Sequence, residues 1–207
     1  TGVQMTGWFN QEINSLADLE GLRMRIPGLA GQAYAAMGVD VRLLPGGEIF
    51  PALERGVIDA AEWVGPAQDE ILGLQNAASY YYTTGWHEPC TVTEFAINKD
   101  AWESLPADLK EIVRTATAAT NLIAHSWAEA NNAAALQRFI DGGTQVRVLP
   151  DDVIAGLRDA MGPVYEELSA DDPVFKKVMD SYFAFKDTHD FWASRSEAVW
   201  HAKLRDA

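Results

Sequence analysis

The 207-residue chain carries 16 Lys and Arg against 30 Asp and Glu, a net charge of −14, with 48% hydrophobic and 22% charged residues. This is the composition of a globular protein with ample core material, and its charge opposes binding to nucleic acid or anionic membrane, whose phosphates would be repelled. A single cysteine, Cys90, excludes an internal disulfide, and no run of 18 apolar residues is present to span a membrane.

Residues 3–9 alternate as a strand, with Gln4 on the face opposite Val3 and Met5. Because this pattern begins at Thr1 with neither leader nor initiator methionine, an upstream segment and any targeting signal are expected to lie outside the sequence. Ser15 suits the N-cap of a helical turn over Leu16-Ala17-Asp18-Leu19 that stops at Gly21. The run Leu22-Arg23-Met24-Arg25-Ile26-Pro27-Gly28 then reads as a strand ended by Pro-Gly, with Arg23 and Arg25 on one face and Met24 and Ile26 on the other. A helix over 30–37, a strand over 39–44, a helix over 48–55 and a strand over 57–64 follow. This β-α-β-α-β order predicts a parallel sheet covered by helices, with ligands received beyond the carboxyl ends of the strands, where Arg25 and Glu62-Trp63 fall.

A helix from Pro66 to about Leu74 precedes two extended segments, 79–86 and 91–98, separated by Gly85-Trp86-His87-Glu88-Pro89. That aromatic and ionisable loop suits a site loop and equally a hinge packed by its own rings. The second half reads as a helical turn over 99–104 and a long helix from Pro106 to Asp141-Gly142-Gly143. Its stripe of Leu109, Ile112, Val113, Ala116, Ala119, Ile123, Trp127, Ala130 and Ala134 predicts core packing. A strand over 144–149, a helix over 151–168 and a final helix opened by Asp172-Pro173 and running to the end complete the pattern. In that last helix Phe175, Val178, Met179, Tyr182, Phe185 and Trp192 form one stripe while Phe183 and Phe191 lie off it. Burial on two sides follows, with another subunit as a candidate for the second.

Arg25 leads the candidate chemistry, because a planar guanidinium binds a carboxylate through two parallel hydrogen bonds that lysine cannot copy; a surface ion pair also fits it. Glu62 at a strand end suits a cation ligand or a partner for a ligand hydroxyl, and also an N-cap. Gln4 offers an amide oxygen to the same place if its strand lies beside that of Arg25. His87 and Glu88 suit acid-base or ligand roles, or structural ones. The four histidines, His87, His125, His189 and His201, lack metal-ligand spacing, and no nucleophile elbow, phosphate loop, dinucleotide fingerprint or Cys-x-x-Cys is present. Gly46-Gly47 before a helix is a weak anion-site signal.

Several motifs occur together: Leu22 to Gly28; Leu43-Leu44-Pro45-Gly46-Gly47-Glu48-Ile49-Phe50-Pro51-Ala52-Leu53; Gly56-Val57-Ile58-Asp59-Ala60-Ala61-Glu62-Trp63; Tyr80-Tyr81-Tyr82 with Gly85 to Pro89; and Ala96-Ile97-Asn98-Lys99 with Trp102 and Leu105-Pro106. Jointly they resemble the solute-binding proteins of tripartite ATP-independent periplasmic (TRAP) transporters, in the branch that binds 2-oxo or 2-hydroxy monocarboxylates such as pyruvate or lactate with a cation. The resemblance implies a two-lobed α/β periplasmic binding protein with long crossing helices, its N-terminal lobe incomplete in this sequence. Residues 1–98 would form mostly the second lobe, 99–149 would return to the first, and 150–207 would pack and dimerise through an exchanged C-terminal helix.

By position, the resemblance makes Arg25 the partner of the ligand carboxylate. It makes Gln4, Glu62 and the backbone carbonyl of Trp63 the cation ligands, with Glu88 beside both the cation and the acid. Trp86 and His87 fall on the pocket wall, and Asn98 is the strand asparagine near the hinge. The implied partners are a small organic acid anion, bound sodium or calcium and the TRAP membrane subunits, with no catalytic cofactor. An enzyme acting on a keto or hydroxy acid, with Glu62 or His87 as base, and an extracytoplasmic sensor domain are the alternatives.

Overall fold

Among residues 2–203, which the computed structural model describes, six short strands form one mixed sheet: β1 (Gly7–Phe9), β2 (Arg23–Arg25), β3 (Asp40–Arg42), β4 (Ala60–Ala61), β5 (Tyr80–Thr83) and β6 (Gln145–Val148). Their order is β3-β2-β4-β1-β5-β6. β2 pairs in parallel with β3 and β4, and the connections are the helices α1 (Gly28–Ala36) and α2 (Gly46–Glu54). The predicted β-α-β-α-β unit is therefore present, although its ladders are shorter than the apolar runs. β1 is inserted antiparallel between β4 and β5, so the Gln4 segment adjoins β4 and stands one strand away from β2, and the adjacency on which the reading of Gln4 is conditional is not met. This insertion brings the start of β1 to the rim where β2, β4 and β5 end.

Side chains alternate across the strands and build a core on each face of the sheet. Phe9, Met24, Ala60 and Tyr82 pack with Ile13, Leu19 and Leu157, whereas Trp8, Ala61 and Tyr81 pack with Ile49, Leu53 and Phe139. On the second face the Trp8 and Tyr81 rings lie 4.3 Å apart and Phe139 meets Trp8 edge-on at 5.0 Å. Since Met24 faces the first core, Arg23 and Arg25 face the second. Arg23 makes a structural contact there, donating to Asp59 from Nε at 2.8 Å and from Nη2 at 2.5 Å.

After α3 (Pro66–Leu72), the segment 91–98 carries no ladder, and Val92, Phe95 and Ile97 are exposed, so the second extended strand expected there is absent among the described residues. β-branched and aromatic residues favour strands only where a sheet edge offers a ladder, and among the described residues this segment pairs with no strand. Helices α4 (Lys99–Ser104) and α5 (Ala107–Asp141) fall where Pro106 and Gly142-Gly143 punctuate the chain. The buried positions of α5 are Ala128, Ala135 and Phe139, while Leu109, Ile112, Ile123 and Trp127 of the predicted core stripe are exposed. Helical periodicity specifies an apolar face and leaves open what covers it. The last third of α5 is bound to α3: Asn132 Oδ1 accepts from the Ala67 N–H at 3.0 Å, and Arg138 donates twice to Glu70 at 2.6 Å.

The chain divides into two compact units, one through Ala160 and one from Met161, within the helix α6 (Asp151–Asp171). In the second unit α7 (Pro173–Ala193) starts at an Asp172 cap whose side chain accepts from the Val174 N–H. Tyr165 meets Phe183 edge-on at 5.5 Å, and Val178, Tyr182, Phe185, Phe191 and Trp192 are exposed. The final helix is broken rather than continuous: Ser194 and Ser196 hydroxyls bond back to the Phe191 and Trp192 carbonyls, and α8 (Glu197–Lys203) begins anew. Residues 204–207 of the predicted helix lie outside the described residues.

Candidate functional site

Arg25 is the last residue of β2, and Glu62 follows β4 directly, so parallel pairing sets them side by side. The Glu62 N–H donates to the Arg25 carbonyl at 3.0 Å. In return Arg25 Nη1 donates to the Glu62 carbonyl at 2.7 Å and to Glu62 Oε2 at 3.2 Å, while Nε reaches the Leu44 carbonyl at 3.4 Å. The pair is buried, with 8% of Arg25 and 1% of Glu62 exposed. The guanidinium lies 5.4 Å from the Trp63 ring centroid, and that ring packs on Gly46, where an added Cβ would sit only 2.7 Å from it.

Two features of this pair are chemically unspent. Glu62 Oε1 is buried with no hydrogen-bond partner, and Nη2 of Arg25 has none among the described residues. Burial outweighs the mutual attraction of the two charges: it lowers the Arg25 pKa, and it pushes the Glu62 carboxyl up to about 8 against the pull of Arg25, with help from Glu88 and Asp69. A buried pair with an orphaned oxygen and an idle donor is set to receive a further polar group.

Gln4 completes the rim from the other direction. Its Nε2 donates to the Trp63 carbonyl and its Oε1 accepts from Thr91 Oγ1 at 2.6 Å. The loop after β5 wraps its backbone, with the Gly85 N–H donating to the Gln4 carbonyl at 2.7 Å and the Gln4 N–H to the Glu88 carbonyl at 3.2 Å. Gly85 is required there, since a Cβ would fall 2.5 Å from the Gln4 carbonyl oxygen. Burial raises the Glu88 carboxyl, and contact with Thr91 holds it back.

The remaining expected residues divide. Trp86 Nε1 donates to the Tyr34 hydroxyl at 3.1 Å, with the two rings edge-on at 5.7 Å. His87 has both ring nitrogens buried without partners, and burial lowers its pKa to about 4, so it is a neutral imidazole. Asn98 is not in a strand and does not join the others. It is the exposed N-cap of α4, its side chain accepting from the Ala101 N–H at 3.0 Å, because Lys99 begins a helix and an asparagine before a helix satisfies an otherwise orphaned donor. Sequence reasoning missed Tyr34, Thr91 and Asp69. Asp69 in the first turn of α3 carries a helix-start signal, but nothing local announces its partners.

Among the described residues no group of three or more His, Cys, Asp and Glu is placed to hold a metal. The oxygens at the rim nevertheless suit a hard cation: the unpartnered Glu62 Oε1, the Trp63 carbonyl, and a Gln4 carboxamide that exchanges donor for acceptor by a half-turn. One carboxylate and two neutral oxygens also leave room in the charge balance for an anion beside the cation.

A buried arginine and a rim of oxygens stand together at the carboxyl ends of strands in an α/β sheet, donor and acceptor groups whose chemistry suits small polar ligands. The sequence matches the profile of bacterial extracellular solute-binding proteins, family 7 (DctP), over residues 1–172, and the chain belongs to that family, one of transport solute-binding proteins. A monocarboxylate 2-oxoacid-binding periplasmic protein of Nostoc sp. is 45% identical over 192 residues, which cover 93% of this chain and 53% of that protein. A TRAP transporter solute-binding protein of Bordetella bronchiseptica, a mixed-occupancy dimer with copurified calcium and picolinate, is similar at 36% identity and a TM-score of 0.90, over 97% of this chain and 60% of that one. A TRAP periplasmic solute-binding protein of Pseudoalteromonas atlantica with bound sodium and pyruvate is similar at 36% identity and a TM-score of 0.92, over 98% and 62%. The chain spans about half the length of the curated relatives it matches. No helix among the described residues is long and apolar enough to cross a membrane.

Proposed function

We propose that this chain is part of the periplasmic solute-binding subunit of a TRAP transporter, and that it captures a 2-oxo or 2-hydroxy monocarboxylate together with sodium or calcium, without turnover. The observation that carries this reading is the buried Arg25–Glu62 pair, in which Nη2 and Oε1 are both unspent. Nη2 is the donor for the ligand carboxylate, held in place by the bonds that Nη1 and Nε make to Glu62 and Leu44. Glu62, the Trp63 carbonyl and Gln4 would hold the cation, with Glu88 nearby; the cation supplies the positive charge that lets a carboxylate ligand sit beside Glu62. Trp86, braced by Tyr34, and the neutral His87 wall the site.

On the same reading residues 1–98 form mostly the second lobe, the loaded protein docks on the TRAP membrane subunits, and the exposed aromatic residues of α7 serve a homodimer, a state for which the Bordetella relative gives precedent. Calorimetric titration of the protein with pyruvate, lactate and succinate, with and without sodium or calcium, tests the proposal. Stoichiometric, cation-dependent binding of a monocarboxylate is expected, with no chemical change in the recovered acid. Equal binding by Arg25→Ala would overturn it.

A further inference from the structure

Beneath the rim lies a carboxylate that the proposed site leaves unused. Asp69 is 0% exposed. Its Oδ2 accepts from Trp8 Nε1 at 2.9 Å and from the Tyr81 hydroxyl at 3.0 Å, and its Oδ1 accepts from the Val64 N–H at 3.0 Å. These donors belong to β1, β5 and the segment that leaves β4, so one side chain joins three strands that are distant in sequence.

A buried carboxylate costs more than a neutral side chain, and burial pushes the Asp69 carboxyl up to about 6 despite these bonds. A carboxylate offers what no neutral isostere does: two oxygens that accept from every side at once. An asparagine would turn an N–H₂ toward at least one of the three donors. The place it holds is the one the rim depends on. Val64 follows Trp63, and its carbonyl accepts from the N–H of Met5, next to Gln4, at 2.9 Å. Asp69 thus anchors the peptide that links the Trp63 side of the Gln4–Trp63 contact to the Gln4 side.

We propose that Asp69 is the positioning residue of the rim, fixing the Glu62–Trp63 strand end against Gln4 so that their oxygens and Arg25 stand at the spacing that receives a cation and a carboxylate. Its ligand-binding half rests on the function proposed above; its geometric half does not. Two measurements on Asp69→Asn separate them. In hydrogen exchange, amides of residues 62–65 are expected to exchange about tenfold faster than in the parent, while those of α2 stay within about twofold. In calorimetry with calcium and pyruvate, the Kd is expected to rise about tenfold at unchanged stoichiometry.

Tyr81→Phe, which deletes one donor and keeps the carboxylate, is expected to give about a two- to threefold effect in both. Acceleration spread evenly over the protein, or none at 62–65, would overturn the positioning role in favour of a merely structural one, as would a Kd within about twofold of the parent in a folded Asp69→Asn. If Asp69→Asn does not fold, Tyr81→Phe with parental exchange at 62–65 overturns it instead. A parent that binds no monocarboxylate in calcium or sodium defeats the function reading, while the exchange arm still decides whether Asp69 fixes the rim.

Discussion

Replacing Glu62 by glutamine tests the electrostatics of the site directly. Burial raises this carboxyl from an ordinary 4.5 to about 8, so between those values the folded protein holds a proton at Glu62 that the unfolded chain has released. Folding is then favoured by protons: the contribution of Glu62 is fully present below about pH 4.5 and is lost as pH rises toward 8, at about 1.4 kcal/mol per pH unit. From pH 5.5 to 7.5 that amounts to about 3 kcal/mol, or roughly 5–10 °C in Tm for a chain of this size.

Glutamine resembles the protonated acid in shape and does not titrate, so Glu62→Gln should lack this slope. Thermal and urea unfolding of both proteins at pH 5.5, 6.5 and 7.5, without added sodium or calcium, measures the difference. Asp69 contributes a slope of the same sign below about pH 6 and His87 one of opposite sign below about pH 6.5, but both are common to the two proteins and cancel. A Tm gap between parent and variant that stays constant across the three pH values would refute the reasoning. On the proposed function a cation displaces the same proton, so calcium affinity in the presence of pyruvate rises with pH up to about 8 in the parent and not in the variant.

Arg25→Lys keeps the charge and loses the planar fork, and monocarboxylate affinity should fall by about 2 kcal/mol, some thirtyfold, in calorimetry. His87 is buried neutral, with its pKa lowered from 6.5 to about 4, so its contribution to stability is present above pH 6.5 and lost as pH falls toward 4. His87→Phe should flatten that acid limb, gaining about 2 kcal/mol over the parent at pH 5 relative to pH 7 in urea titrations. Asn98→Ala removes the cap of α4 and should cost about 1 kcal/mol, read as faster amide exchange over residues 99–104.

How much of this was legible depended on whether the cause was local. Pro106, Gly142-Gly143 and Asp172-Pro173 punctuate helices through their own backbone preferences, and Ser15 with Asp18 forms a capping box around the expected turn. Arg25 and Glu62 were readable as neighbours because two parallel strands separated by β-α units end at a common rim. The insertion of β1 was not readable, since strand order is a long-range choice. For the same reason the 91–98 segment looked like a strand and Asp69 like any acidic residue in a first turn. The stripe of α5 marks the converse limit: the helix is where its pattern puts it, but its buried residues, Ala128, Ala135 and Phe139, are none of those in the expected core stripe, because which face a long helix buries is decided by the elements that pack on it.

The sequence separations within the rim set the order in which it assembles. Gln4 meets Trp63 across 59 residues and Thr91 across 87, and Arg25 meets Glu62 across 37. Helices close on themselves within microseconds, whereas such distant pairings must wait for the chain between them to be gathered, and β1 takes its place only when both of its neighbours are available. The rim is therefore among the last parts of the chain to assemble, and on the proposed function binding competence comes with it. On that reading a preparation with native helix content and an unassembled rim would look complete by circular dichroism and inert in a ligand titration, which makes the ligand-binding stoichiometry the stricter measure of correct folding.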